Sequence, residues 1–572
     1  MNQNSEKYGV QQLKEQCFSH GLTTFVFSPG SRNAPLVIAF SKDSRFKCYV
    51  IPDERSAAFY ALGMAEELQK PVGVACTSGS ALLNYYPAIS EAFYRNIPLV
   101  VVSADRPNEW TDHGDGQTIR QKGVFSNHIV DETNLIESPS NEDEKWFNQR
   151  EIDRVLDNVK SNGPVHINFP FREPLYQLDS DKLKFQRQTK VFTPEQQVSS
   201  VQLNSLSENW DLADKKLIIC GQMPKNRYLQ EQLKELAKDS SVAILVENTS
   251  NLSDKSFVHC IDRTINSISE EYKEFFQPDL LITLGGAVIS KKIKAYLREF
   301  KPKNHWKIGK SFPYMDTYQS LTISIPIDEA VFMKAFLETE RKRNVSRYGE
   351  QWKQLDYLTQ DKHLEYLKKA PYTDLSVFQL LMDVVPENSK LHLGNSSVVR
   401  YAQLFDPIPS ISYTCNRGTS GIDGSTSTAL GACLADPSHL HSFISGDISF
   451  FYDSNAFWNH HIPSNFRMFV INNGGGGIFK IIPGPSDTEV SDKFFVTKQG
   501  FSAKSICEAF NINYMVANSL EEIDNQLQSF YQYQKNDRPV VMEIFTPIEE
   551  NDIALKEYFE KIKVSQIKPL KV

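Results

Sequence analysis

GDISFFYDSNAFWNHHIPSNFRMFVINNGGGGIF, residues 446 to 479, contains two strand ends that a parallel sheet would set side by side. The apolar run HSFISGD stops at Asp447, and the next, FRMFVINN, stops at Asn473. Short β-branched and aromatic runs of this kind read as buried strands of an α/β sheet. Residues following successive parallel strands meet at the carboxyl edge, where such folds bind ligands. An aspartate and an asparagine there offer the hard oxygens that Mg²⁺ prefers, leaving other positions to a backbone carbonyl, water and phosphate oxygens. Gly474 to Gly477 would let the backbone approach a ligand closely. Either piece alone reads as a turn or a loose loop; together, each after a strand, they read as a metal–diphosphate site.

The same alternation extends in both directions. KLHLGN and PVVMEIF are further strand-like runs of the C-terminal part, and KLIIC, VAILVEN and DLLITLGG are strand-like in the middle. Near the N-terminus TTFVF, CYVI, VGVACTS and PLVVVSA alternate with the helical patterns DERSAAFYALGMAEEL and SALLNYYPAISEAFYRN, a block that closes near GPVHINFPFREPL. A chain of 572 residues exceeds one ordinary core and predicts about three domains. The fold class is α/β, with three doubly wound parallel-sheet units placed at 1–180, 190–345 and 346–572. Gln177 to about Gln197 reads as a linker, and the charged run ETERKRNVSRYGEQWKQ as a solvated helix. No short-period repeat is visible, although units of one type in series could be related internally.

Composition narrows the function. Apolar residues at 40% and charged residues at 23% are ordinary globular usage. A net charge of −8 argues against general affinity for nucleic acid or an anionic membrane, so any anion must be held by a local basic cluster. The eight cysteines are scattered without a CxxC pair and read as buried, reduced thiols. MNQNSEKYGVQQLKEQ has no apolar core, and no stretch approaches the roughly 20 apolar residues of a spanning helix, so a cytoplasmic location is expected.

Further stretches carry a resemblance: SPGSRNAPL (Ser28–Leu36), DERSAAFYALG (Asp53–Gly63), TSGSALLNYYPAISEA (Thr77–Ala92), SADRP (Ser103–Pro107), GQTIRQ (Gly116–Gln121), GNSSVVR (Gly394–Arg400) and NRGTSGIDGSTSTALG (Asn416–Gly431). With GDISFFYDSNAF they resemble, in order, the thiamine-diphosphate enzymes, and among these the 2-succinyl-5-enolpyruvyl-6-hydroxy-3-cyclohexene-1-carboxylate synthases of menaquinone biosynthesis. The middle of the chain matches loosely, around ISKK (Ile289–Lys292). The resemblance implies pyrimidine-binding, central and diphosphate-binding domains, with thiamine diphosphate and Mg²⁺ or Mn²⁺ as cofactors. It implies decarboxylation of 2-oxoglutarate and addition of the remaining succinyl unit to isochorismate. It also implies a homodimer or homotetramer with active sites at the subunit interface.

Residue by residue, Glu54 would hydrogen-bond the aminopyrimidine ring and act catalytically, although by itself it reads as a carboxylate complementing a helix N-terminus. Ser78, Ile422, Gly446, Asp447, Asn473 and Gly475 would hold the cofactor, with Asp447, Asn473 and Gly475 on the metal and Ile422 wedged between the cofactor rings. Both substrates carry carboxylates, which the planar fork of arginine binds in pairs of hydrogen bonds. The matched positions are Arg32, Arg106, Arg400 and Arg417, with Ser31, Gln117, Lys291, Asn395 and Ser396 as partners and Ile478 and Phe479 as an apolar wall. Lys292 departs from the family, where arginine is frequent. His460 and His461 read as exposed loop residues without metal-ligand partners, and His128 and His166 have no evident chemical role. Two alternatives remain at this level. One is an acetohydroxyacid synthase-like or simple 2-oxo acid decarboxylase enzyme, which needs fewer cations. The other is a non-catalytic binding protein on the same fold, against which intact Glu54, Asp447 and Asn473 count.

Overall fold

In the computed structural model, which describes residues 4–564 except 6, 180–182, 184–188, 190, 193–196, 343–344, 482–483, 485–487 and 533–536, the chain builds three parallel sheets in succession. The first holds β1 (Thr24–Phe27), β2 (Lys47–Val50), β3 (Val72–Cys76), β4 (Leu99–Asp105), β5 (Asp131–Asn134) and β6 (Val165–Pro170), in the order β2-β1-β3-β4-β6-β5. The second holds β7 (Lys216–Cys220), β8 (Val242–Val246), β9 (Leu280–Leu284), β10 (Asn304–Ile308) and β11 (Ile323–Ile325), in the order β8-β7-β9-β10-β11. The third holds β12 (Lys390–Leu393), β13 (Ser412–Cys415), β14 (His441–Gly446), β15 (Phe466–Asn472), β16 (Asn513–Ala517) and β17 (Val540–Phe545), in the order β13-β12-β14-β15-β17-β16. The first and third sheets thus share one strand order. Their central strands are buried along their whole length, LVVVSAD in β4 and FRMFVIN in β15, because helices cover both faces.

Two helices join the first and third units. α1 (Glu54–Leu68) begins where Asp53 Oδ1 accepts the Ser56 amide at 2.9 Å, and α6 (Ser425–Ala435) crosses it. The crossing is close: a Cβ on Gly63 would lie 2.0 Å from the Thr428 carbonyl oxygen, and one on Gly431 would lie 2.2 Å from that of Tyr60. One core runs through this seam, joining Val26, Tyr60 and Val74 to Leu430, Phe443 and Met468.

The charged run from Glu338 to Gln354 departs from the solvated helix expected of it. Helix begins only at Tyr348, in α4 (Tyr348–Leu367), and Tyr348, Trp352 and Leu355 are buried against the central sheet. Their spacing makes a narrow apolar stripe that the surrounding charges mask in a sequence reading. Most of the stretch read as a linker, Gln177 to Gln197, lies outside the described residues. All eight cysteines are free, and among the described residues no helix is long and apolar enough to cross a membrane.

Candidate active site

β14 and β15 are hydrogen-bonded neighbours with Gly446 opposite Ile471, so Asp447 and Asn473 leave the same carboxyl edge. Asp447 opens the short helix α7 (Asp447–Tyr452) and is 2% exposed. Burial, with the nearby Asp374 charge, pushes its carboxyl up to about 6. Its Oδ2 accepts the Gln499 amide at 2.5 Å. Asn473 Nδ2 donates to Asp374 Oδ2 at 3.0 Å, which aims its Oδ1 the other way; that oxygen is buried with no hydrogen-bond partner. A buried carboxylate and an orphaned amide oxygen on one edge fit a hard divalent cation. Gly475 packs where a Cβ would come 2.7 Å from the Val496 carbonyl oxygen, and the segment is braced by Gly476 N to Val496 O at 2.7 Å and Gln499 N to Gly474 O at 2.9 Å. Among the described residues no group of three or more His, Cys, Asp or Glu is positioned to hold a metal. Ile478 is buried beside this loop, and the Phe479 ring lies 5.9 Å from that of Phe495.

Glu54 occupies the first turn of α1, placed there by the Asp53 cap. It lines a 390 Å³ pocket with Asn84 and with Phe451, Tyr452, Ser454 and Asn455 of the third unit. Burial, reinforced by the Asp53 charge, raises its carboxyl above the usual range. Ser78 is 2% exposed, and the Ile422 carbonyl accepts the Ser449 hydroxyl at 2.8 Å.

The expected substrate residues fall into two groups. Arg32 donates to the Phe171 carbonyl at 3.0 Å and pairs with Glu173 at 3.2 Å; burial and the neighbouring Arg106 lower its proton affinity. Arg106 donates to the Gly116 carbonyl at 3.1 Å and pairs with Asp115, while Ser31 and Gln117 are exposed, Gln117 with a φ of 55°. In the other group Asn395 Nδ2 bonds the carbonyls of Asn416 at 2.7 Å and Gly421 at 2.6 Å, and its Oδ1 accepts Arg417 Nη1 at 2.9 Å. Ser396, with φ 71°, precedes α5 (Ser397–Ala402), which carries Arg400. The Nε atoms of Arg400 and Arg417 are buried without hydrogen-bond partners. Among the described residues no hydrogen bond or ion pair links one group to the other.

Lys291 is exposed at the start of α3 (Lys291–Glu299). Lys292 turns away: its Nζ donates to Asn266 at 2.5 Å and sits 3.3 Å from the Phe559 ring centroid. Lys294, half-buried one turn beyond Lys291, feels the charges of Glu247, Arg417 and Arg400, although burial is the largest cause of its lowered proton affinity. Sequence reading missed it, and the i, i+3 spacing in KKIK was the available signal. Asp374 and Gln499 left no such signal, because only folding brings them to Asn473 and Asp447. His460 is exposed, but His461 accepts the Val50 amide at 3.2 Å and meets the Tyr49 ring edge-on, so it is a packing residue rather than a free loop histidine. His128 bonds the Tyr86 hydroxyl at 3.0 Å and buried His166 the Ser103 hydroxyl at 2.7 Å.

Three family models match in succession along most of the chain. Residues 8–129 match the N-terminal TPP binding domain of thiamine pyrophosphate enzymes, 181–393 the middle domain, and 394–544 the C-terminal TPP binding domain. A solved structure from Mycobacterium smegmatis shares the fold, with a TM-score of 0.68 at 17% identity over 95% of this chain and 100% of that one. The class is therefore that of the thiamine-diphosphate enzymes. Full-length relatives are closer in sequence: proteins named 2-succinyl-5-enolpyruvyl-6-hydroxy-3-cyclohexene-1-carboxylate synthase from Flavobacterium johnsoniae (43% identical; 97% of this chain, 98% of the relative) and Christiangramia forsetii (45%; 96% and 97%). The same name is carried by a Bacteroides thetaiotaomicron relative at 38% identity, covering 98% and 99%. The chain belongs to the 2-succinyl-5-enolpyruvyl-6-hydroxy-3-cyclohexene-1-carboxylate synthase family.

Proposed function

We infer that the chain catalyses thiamine-diphosphate-dependent decarboxylation of 2-oxoglutarate and joins the remaining succinyl unit to isochorismate. The products are 2-succinyl-5-enolpyruvyl-6-hydroxy-3-cyclohexene-1-carboxylate and CO₂, formed in the cytoplasm during menaquinone biosynthesis. The observation that carries this reading is the group around Arg400 and Arg417, whose buried Nε donors lack partners in the chain. Buried donors of that kind call for acceptors, and substrate carboxylates supply them.

Bound thiamine diphosphate supplies an electron sink for the carbon that loses CO₂. Asp447, Asn473 Oδ1 and the Gly475 carbonyl would hold Mg²⁺ or Mn²⁺, and Gly446 with the glycine loop would bind the diphosphate. Glu54 holds a proton against the pyrimidine ring, a role that its raised proton affinity supports. Ser78 and Ile422 position the rings. Arg32 and Arg106, with Ser31 and Gln117, form one carboxylate anchor. Arg400 and Arg417, with Lys291, Asn395 and Ser396, form another, and Ile478 and Phe479 keep water from the reacting carbon. Two copies of the chain, in a homodimer or homotetramer, complete each site by setting the Glu54 pocket of one against the diphosphate edge of the other.

Incubation with thiamine diphosphate, Mg²⁺ and 2-oxoglutarate, with and without isochorismate, tests the reaction. The condensation product is expected by mass only when both substrates are present. Equal use of pyruvate, or CO₂ release with no isochorismate adduct, would overturn the assignment.

A further inference from the structure

The loop that carries Arg417 and Ile422 belongs to the third unit, yet a side chain of the first unit holds it. Glu91 lies in α2 (Tyr86–Arg95) and is 1% exposed. Its Oε1 accepts the Gly418 amide at 2.8 Å; its Oε2 accepts the Thr419 amide at 2.6 Å and the Thr419 hydroxyl at 2.9 Å. One turn on, Arg95 bonds Glu66 and reaches Asn416 Oδ1 at 3.4 Å. The loop fits tightly over the helix, since a Cβ on Gly418 would lie 2.6 Å from the Glu91 carbonyl oxygen. Ser420, two residues on, is held at φ 62°, a left-handed conformation that a free serine seldom keeps and that the surroundings must enforce.

We propose that Glu91 is a positioning residue that sets the pose of the Arg417 guanidinium by gripping the two peptide N–H groups that follow it. Asn395 bonds the carbonyls of Asn416 and Gly421 and the Arg417 guanidinium itself, while Glu91 fixes the backbone in between. The carboxylate is suited to this because it accepts on both oxygens. Glutamine of the same shape would present N–H to N–H at one of them. The inference rests on the reading that Arg417 binds a substrate carboxylate.

Glu91→Gln, Arg417→Ala and the double variant would be compared in steady-state kinetics with each substrate varied in turn, and thiamine-diphosphate affinity would be measured by calorimetry. Glu91→Gln is expected to raise KM about tenfold for the same substrate that Arg417→Ala affects, the size of one lost charge-assisted hydrogen bond, with cofactor affinity unchanged. On the Arg417→Ala background it is expected to add under about twofold, because the two act through one contact. Thr419→Val, which removes only the hydroxyl bond, should shift the same KM by about two- to threefold and carries the same cycle if Glu91→Gln does not fold. If Arg417→Ala alters neither KM, the site reading itself falls. If Arg417→Ala acts but the Glu91 and Thr419 variants do nothing, act in full on the double background, or weaken cofactor binding, positioning by Glu91 is overturned while the site reading stands.

Discussion

Glu54 and Asp447 are both raised by burial, but their neighbours give them different work. Glu54 opens onto a pocket, and on the proposed reading its carboxyl would bond a ring nitrogen of the cofactor there. Asp447 accepts the Gln499 amide and shares its sheet edge with the orphaned Asn473 oxygen, a donor set that on the proposed reading a divalent cation would complete. Glu54→Gln is expected to leave the fold intact and to slow exchange of the bound cofactor's thiazolium C2 proton in D₂O by about 10²–10⁴-fold. A wild-type exchange rate in that variant would remove Glu54 from the chemistry. Asp447→Ala should abolish Mg²⁺-dependent retention of thiamine diphosphate, and unchanged affinity in calorimetry would sink the metal assignment. Lys292 separates stability from function. Its contact with the Phe559 ring predicts that Lys292→Ala costs about 0.5–2 kcal/mol in urea unfolding while leaving both substrate KM values as they are.

At the scale of elements, the seam between α1 and α6 is the tightest helix contact described above, and it decides how the first and third units face each other. Gly431→Ala would drive a methyl toward the Tyr60 backbone, where no rotamer change can relieve it. The expected cost is about 1–3 kcal/mol or more by denaturant unfolding, and a variant as stable as the wild type would show that the helices can slide apart. Elements were legible where apolar runs were long and buried on both faces, as in β3, β4, β7, β8, β14 and β15. β5 (DETN) and β16 (NYMVA) escaped because each is an edge strand with few buried side chains, so neither composition nor alternation marks it. α4 was half-read: its polar residues dominate the composition, while only Tyr348, Trp352 and Leu355 reveal the buried face.

For the molecule as a whole, buried histidines make acid stability measurable. His305, 1% exposed, is held by burial down at about 4, against 6.5 for the free side chain. The unfolded chain therefore binds a proton that the folded chain refuses, and stability falls as pH drops from 6.5 toward 4. Glu247 and Asp453, each raised by burial to about 7, act in the opposite sense, so the histidine effect is read as a difference. Wild type is expected to lose roughly 2–3 kcal/mol relative to His305→Asn between pH 6.5 and 4 in urea unfolding. Parallel slopes for the two proteins would refute it. Residue order by itself determined the α/β class, the three-sheet plan, the pairing of Asp447 with Asn473 and the family motifs, because periodicity and strand-end chemistry are local. Only the tertiary structure decided which partners those residues meet. Asp374 behind Asn473, Gln499 on Asp447, Lys292 turned to Phe559 and Glu91 on the Arg417 loop are pairs whose members lie tens to hundreds of residues apart. The first two follow from the folding of the third unit on itself and the last two from packing one unit against another, and no local pattern encodes either.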